Sequence, residues 1–270
     1  MTSYGIIGTG HLGSMLAEEF IRRGAINREE LWVSNRSQEK AQKLARKLGV
    51  RAADNLKVAE RSGVLFLCVR PVDLKGVIAE TSELLTPEKL IVSVAVDFSL
   101  RQLESLCRAR AARAIPSVAS GKGLGVTLLV LGSGASEDDR SLVFRLFGSI
   151  GWPVEVAEEQ LEVLSDLTSS GPAYISAILR EFALEASMRG AGVDKDLAEQ
   201  LIKKTLIGTA ALLEDESFDD LIAMVATRGG ITEEGAKVIE ALSPEMFRQL
   251  FSATSAKHRL VKDRIGNVEE

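Results

Sequence analysis

The chain has 270 residues, 46% of them hydrophobic, and a formal net charge of −5 at neutral pH. That length supports a full core and points to two domains, while the acidic balance leaves no basic footprint for nucleic acid. The longest apolar runs, residues 64–69 and 126–131, fall far short of the ~20 residues of a membrane span.

The first residues carry the most informative motif. An apolar run, Tyr4-Gly-Ile-Ile7, meets Gly8, Gly10 and Gly13 in G-x-G-x-x-G spacing. A helical pattern with Met15, Leu16 and Phe20 on one face follows at once. In such a turn the first glycine permits the tight bend and the second lets a pyrophosphate approach the backbone. The third lets helix and strand pack closely. The free N–H groups and positive dipole end of the helix then face the phosphates. Gly8, Thr9, Gly10, His11, Leu12 and Gly13 are therefore the predicted dinucleotide loop. Only Met1-Thr-Ser precedes the strand, leaving no room for a targeting segment, so a cytoplasmic protein is expected.

Leu31-Trp-Val-Ser34 reads as a second strand, followed by a helix with Ala41, Leu44, Ala45 and Leu48 at helical spacing. A site for NAD places an acid at the end of this strand for the ribose 2′-hydroxyl, whereas a 2′-phosphate prefers an arginine. Here Ser34, Asn35, Arg36 and Ser37 stand there, with no carboxylate before Glu39. Arg36 is expected to stack on the adenine and pair with the phosphate, its neighbours donating hydrogen bonds. NADP(H) is thus favoured, with NAD(H) second. Capping of the helix by Asn35 or Ser37 is compatible with this role.

Residues 50–54 and 63–69 read as third and fourth strands, 73–84 as a helix, and 89–94 and 113–116 as fifth and sixth strands. Strands alternating with helices predict a parallel, doubly wound sheet whose ligand crevice lies at the strands' carboxyl ends. Cys68-Val69-Arg70-Pro71, Val94-Ala-Val96 and Ile115-Pro-Ser117 are those ends; Arg70 can equally be read as a solvated surface arginine. Residues 121–125 read as a flexible glycine loop, before a strand at 126–131, a helix at 140–150 and a strand at 152–156. Strand signals then cease. The predicted fold is an α/β, Rossmann-like NADP-binding domain over residues 1–157 and an all-α domain over 158–270.

The second half opens with Ser165-Asp-Leu-Thr-Ser-Ser-Gly-Pro-Ala-Tyr174, with Pro172 suited to a first helical position. Residues 174–188 are apolar almost all round, which predicts burial against another copy of the chain. Helices at 195–213 and 217–225 follow. Gly229 and Gly230 then precede a helix, so the amides of Gly229, Gly230, Ile231 and Thr232 form an anion site suited to a carboxylate. A last helix is expected at 246–261, with a solvated His258 in its basic end and a frayed tail at 266–270. His11 and His258 are the only histidines, and Cys68 and Cys107 the only cysteines. No metal site, Ser-His-Asp triad or disulfide framework is expected from so few.

Five segments together resemble the pyrroline-5-carboxylate reductase family: Gly8-Thr-Gly-His-Leu-Gly13, Ser34-Asn-Arg36, Cys68-Val-Arg-Pro71, Ser170-Gly-Pro-Ala-Tyr174 and Gly229-Gly-Ile-Thr232. The resemblance spans almost the whole chain. It implies NADPH-dependent reduction of a cyclic imino acid to L-proline, in proline biosynthesis. It further implies a homodimer, with larger rings of dimers in some members, and an active site between the nicotinamide and the Gly-Gly-x-Thr loop. Thr232 would hydrogen-bond the imine nitrogen, and Ser170 or Thr168 would orient the nicotinamide or substrate; capping is an equal reading for the last two. Tyr174 would pack at the cleft edge. Two spellings depart from the family: Ile115-Pro116-Ser117 for Met-Pro-Asn, and Thr227-Arg228-Gly229-Gly230 for Ser-Pro-Gly-Gly. Both look like those of a paralogous branch encoded beside late-competence genes, the ComER-like proteins. A β-hydroxyacid dehydrogenase shares this layout but needs a lysine on the first long helix of its second domain, where residues 172–188 have none. A non-catalytic NADP-binding regulator is the rival from another class.

Overall fold

A computed structural model describes residues 3–189 and 192–266. Met1 and Thr2, and residues 267–270 of the expected tail, lie outside the described residues. The first strand, β1 (Tyr4–Ile7), is buried throughout and is followed by α1 (His11–Arg22), which turns Leu16, Ala17 and Phe20 inward. The pattern repeats through β2 (Leu31–Ser34), α2 (Gln38–Leu48), β3 (Arg51–Ala52), α3 (Asn55–Arg61) and β4 (Val64–Leu67). It continues through α4 (Pro71–Thr81), β5 (Leu90–Ser93), α5 (Leu100–Leu106) and β6 (Arg110–Pro116). Then come β7 (Gly125–Leu131), α6 (Glu137–Gly148) and β8 (Gly151–Glu155).

The eight strands form one sheet in the order β3-β2-β1-β4-β5-β6-β7-β8. Its two faces are both covered, as a parallel sheet requires. Along β4 the side chains divide by the two-residue period: Val64 and Phe66 enter one apolar cluster, Leu65 and Leu67 the other. The first cluster centres on Phe20, Phe66 and Phe147, whose ring centroids lie 5.6–6.2 Å apart. The second packs Leu74 and Ile78 of α4 and Leu103 of α5 against the opposite face.

One pairing corrects the expectation of a wholly parallel sheet. β7 runs antiparallel to β6, with Ala112 opposite Leu131 and Pro116 opposite Thr127. The cause is the connection: Val118–Lys122 is a short 3-10 turn rather than a crossover helix, and only antiparallel neighbours can be joined so briefly. That turn also replaces the flexible loop expected at residues 121–125.

After β8 the chain is helical: α7 (Leu161–Thr168), α8 (Gly171–Ser187), α9 (Lys195–Leu212), α10 (Phe218–Val225) and α11 (Ile231–Gly266). Strand structure ends where the sequence indicated, but the compact units divide later. One comprises Met1–Gly171 with Ser255–Glu270, the other Pro172–Thr254. The last helix is also much longer than residues 246–261, continuing through Pro244. Its end belongs to the first unit, where Ile265 is buried in the second cluster and Lys262 pairs with Glu162. His258 is not solvated there: its Nδ1 lies 2.6 Å from Asp97 Oδ1, and both side chains are largely covered.

The second unit has almost no core of its own. Ala183 and Ala198 are its only buried apolar side chains among the described residues, whereas Phe182, Ile207, Ile239 and Leu242 are each more than 60% exposed. So much uncovered apolar surface on helices that pattern as buried marks an association surface.

Candidate nucleotide cleft and carboxylate loop

The glycine loop is shaped by backbone contacts that exclude side chains. Gly8 has φ +102°, a left-handed conformation, and a Cβ there would stand 2.5 Å from the Cys68 carbonyl oxygen. At Gly13 a Cβ would stand 1.9 Å from the Gly8 carbonyl oxygen, so the helix approaches the strand as closely as glycine allows. Gly10, the N-cap of α1, has open space over its α-carbon. His11, exposed, and Leu12, partly covered, begin the helix, whose first amides have no carbonyl partner within it. The start of the loop is tied on both sides: Gly8 N–H donates to the Ser34 carbonyl at 2.9 Å, and Cys68 N–H to the Ile7 carbonyl at 2.8 Å.

The end of β2 behaves differently from its sequence reading. Ser34 is 1% exposed and its hydroxyl donates to Asn55 Oδ1 at 2.8 Å. Its side chain is therefore committed to the fold, which corrects its expected contact with a 2′-phosphate. Asn35 Oδ1 accepts the Thr9 N–H at 3.2 Å, so Asn35 braces the glycine loop. Ser37 occupies the N-cap of α2 without a capping bond from its side chain. Arg36 remains almost fully exposed, 4.0 Å from Asp73 Oδ1.

These segments line a cleft of roughly 930 Å³ at the carboxyl ends of β1, β2 and β4. Gly8, Gly10, Asn35 and Arg36 form one wall; Cys68, Val69 and Arg70 form another, with α4 closing the side. Pro71 opens α4 at a position where its missing N–H costs nothing. Burial pushes the Cys68 thiol up to about 12, so it is a neutral wall rather than a nucleophile. Arg70 is not simply solvated: its Nε and Nη2 donate to the two Asp73 oxygens at 2.7 and 3.2 Å. The structure also brings in groups the sequence did not flag. Asn55 Nδ2 donates to Glu80 Oε2 at 2.7 Å on the same lining, beside Lys40. Asp73 and Glu80 lie on one face of α4, seven residues apart, but nothing marks that face as facing a ligand until the fold is known.

The cleft fits a dinucleotide phosphate on its own geometry. Open space lies over Gly10, and the buried Thr9 hydroxyl has no hydrogen-bond partner. Two arginines reach the lining, Arg36 after β2 and Arg70 after β4. No group of histidine, cysteine or carboxylate residues among those described could hold a metal ion.

The carboxylate loop lies in the second unit. Gly229 has φ +74°, and Gly230 N–H closes the turn on the Thr227 carbonyl at 2.8 Å. Ile231 and Thr232, both exposed, begin α11. Gly229 N–H already donates to Glu233 Oε2 at 2.6 Å, so the chain supplies its own carboxylate there. Two of the four expected amide donors are therefore engaged, leaving those of Ile231 and Thr232 in the first turn. Ser170 and Thr168 belong to the first unit. The Thr168 hydroxyl donates to the Leu164 carbonyl at 2.9 Å, and Ser170, partly covered, gives its N–H to Ser165 at 3.0 Å. Tyr174 is partly covered on α8. Ser117 is buried and accepts the Ala119 N–H at 3.4 Å, capping the 3-10 turn.

A doubly wound nucleotide-binding unit followed by a helical unit with an uncovered apolar face defines a class of NAD(P)H-dependent oxidoreductases. Residues 3–97 match the family described as NADP oxidoreductase, coenzyme F420-dependent, and residues 158–260 match the pyrroline-5-carboxylate reductase dimerisation domain. The chain is 31% identical to pyrroline-5-carboxylate reductase 3 of Bacillus subtilis, over 98% of this chain and 99% of that protein. It is 30% identical to ComE operon protein 4 of the same organism, over 94% of each. A solved pyrroline-5-carboxylate reductase from Coxiella burnetii superimposes with a TM-score of 0.85 at 28% identity, covering 98% of both chains. The chain belongs to the pyrroline-5-carboxylate reductase family. It is an NAD(P)H-dependent oxidoreductase with a dimerisation domain. No helix among the described residues is long and apolar enough to cross a membrane.

Proposed function

We propose that the protein reduces 1-pyrroline-5-carboxylate to L-proline with NADPH, acting as a homodimer in proline biosynthesis. The observation that carries this reading is the retained Gly229-Gly230-Ile231-Thr232 turn at the start of α11, on a chain that aligns end to end with a named reductase. NADPH, when bound, supplies the hydride that a C=N carbon accepts. A cyclic iminium is already electrophilic, so the protein's task is mainly alignment and charge recognition. That demand suits a substrate loop, Gly229 to Thr232, with no histidine or lysine acid in it.

The first-turn amides of Ile231 and Thr232 hold the substrate carboxylate, helped by the helix dipole. The Thr232 hydroxyl hydrogen-bonds the ring nitrogen; Ser170 orients the nicotinamide amide or the substrate. Gly8, Thr9, Gly10, His11, Leu12 and Gly13 receive the pyrophosphate, and Arg36 with Arg70 receives the 2′-phosphate. Asn35 acts through the loop it braces. Cys68, Val69 and Pro71 form the apolar wall. The exposed faces of α8, α9 and α11 cover one another in the dimer, and a ring of dimers is compatible with the same surface.

Absorbance at 340 nm tests the reading, with pyrroline-5-carboxylate run beside NADH and a six-membered cyclic imine. Proline-producing turnover on the five-membered ring is the expected result. NADPH binding without turnover on either ring would move the protein to the regulatory reading. That reading draws on Ser117, Arg228 and the similarity to ComE operon protein 4.

A further inference from the structure

The charges lining the nucleotide cleft are not all of one sign. Asp73, in the first turn of α4, takes both Arg70 donors and lies 4.0 Å from Arg36 Nη1. The two arginines come from different strand ends, β2 and β4, so this one carboxylate faces the cations of both walls. The Arg70 hydrogen bond, and then the charges of Arg70 and Arg36, hold the Asp73 carboxyl below its usual range against the opposing effect of burial. It is therefore an anion at neutral pH, standing where the cofactor's own anion is expected.

Resting on the cofactor site above, we propose that Asp73 is a specificity-determining residue. It competes with the cofactor 2′-phosphate for Arg36 and Arg70, and so limits the preference for NADPH over NADH. A phosphate dianion that reaches Arg36 shares its guanidinium with Asp73 and is repelled by it at close range. The neutral 2′-hydroxyl of NADH meets no such repulsion. The plainer role for Asp73 is an exposed i,i+3 partner of Arg70 at a helix N-terminus, and such pairs contribute little. The shared contact with Arg36, from a separate strand, is what distinguishes the two roles.

Calorimetric titration of the full-length protein and its Asp73→Asn variant with 2′,5′-ADP and 5′-AMP isolates the 2′-phosphate; NADPH and NADH repeat the comparison with whole cofactors. The expected result is about fivefold tighter binding of 2′,5′-ADP and NADPH to the variant, with 5′-AMP and NADH within about twofold of the parent. Asp73→Ser, which removes the same charge with a different side chain, gives the same ordering. Unchanged or weaker 2′,5′-ADP binding overturns the proposal, the second outcome showing that Asp73 positions the arginines instead. Equal tightening of both nucleotides also overturns it. A parent protein that binds neither nucleotide overturns the cofactor site itself, and the proposal with it.

Discussion

The molecule presents two glycine turns at helix N-termini, and they are built on different principles. The turn at residues 8–13 is cast from backbone: Gly8 and Thr9 are buried, and the Gly13 position leaves no room for a methyl group against the Gly8 carbonyl. Its Gly8 and Thr9 amides are held by Ser34 and Asn35, while the first amides of α1 have no carbonyl partner within the helix. The turn at residues 227–232 is on the surface, and its Gly229 amide is taken by Glu233 of the same chain. The first turn is thus held by close backbone contacts, whereas the second is held by an anion the chain carries. A preformed site binds without an ordering cost; a self-capped one exchanges one carboxylate for another. Mutations in the first should therefore act through packing, and mutations in the second through competition and chemistry.

The harshest test of that contrast is Gly13→Ala. The added methyl overlaps a backbone atom, so the loop must move, with a stability loss of about 1–3 kcal/mol. NADPH affinity should fall about a hundredfold as the phosphate amides shift. Affinity within a few-fold of the parent, measured by fluorescence titration, would show that the close packing is not what shapes the site. Thr232→Ala comes next. Losing one hydrogen bond to a charged reacting group lowers kcat by about thirtyfold, with NADPH affinity within about twofold. Steady-state rates beside a binding titration separate the two, and an unchanged kcat removes Thr232 from its role.

How much of this was legible in the sequence follows the same division. β1, β2 and the G-x-G-x-x-G turn were readable because their constraints are local: the apolar run, the glycines and the helix face all lie within residues 4–20. The segment at residues 55–61 carries no strand pattern or motif, yet α3 supplies Asn55 to the cleft. Ser34 read as a phosphate contact because it stands beside Arg36. Only its register on β2, facing Asn55, shows it buried. The antiparallel β7 depended on the absence of a crossover helix, a property of the connection rather than of the strand. His258 read as one of several exposed cations, since its partner Asp97 lies far away in the chain. Glu233 is legible only in part. Its place four residues after Gly229 is what lets it reach back to the turn, and that spacing was visible, but a carboxylate was expected there only from the substrate.

The two smallest predicted effects sharpen the comparison at each turn. Arg36→Asp places a carboxylate beside the 2′-phosphate without touching the packed loop. NADPH affinity should fall about tenfold and NADH affinity much less; equal losses would remove Arg36 from phosphate recognition. Glu233→Gln keeps an acceptor for the Gly229 amide but removes the charge that stands where the substrate carboxylate must come. If Glu233 is a competitor, KM for pyrroline-5-carboxylate falls by about threefold, the scale of one charge at a helix N-terminus, while NADPH affinity stays the same. If instead Glu233 fixes the turn that presents Thr232, KM rises and kcat falls with it. The two outcomes have opposite signs in KM. One variant therefore decides whether the second turn is a site held closed by its own chain or a site held in shape by it.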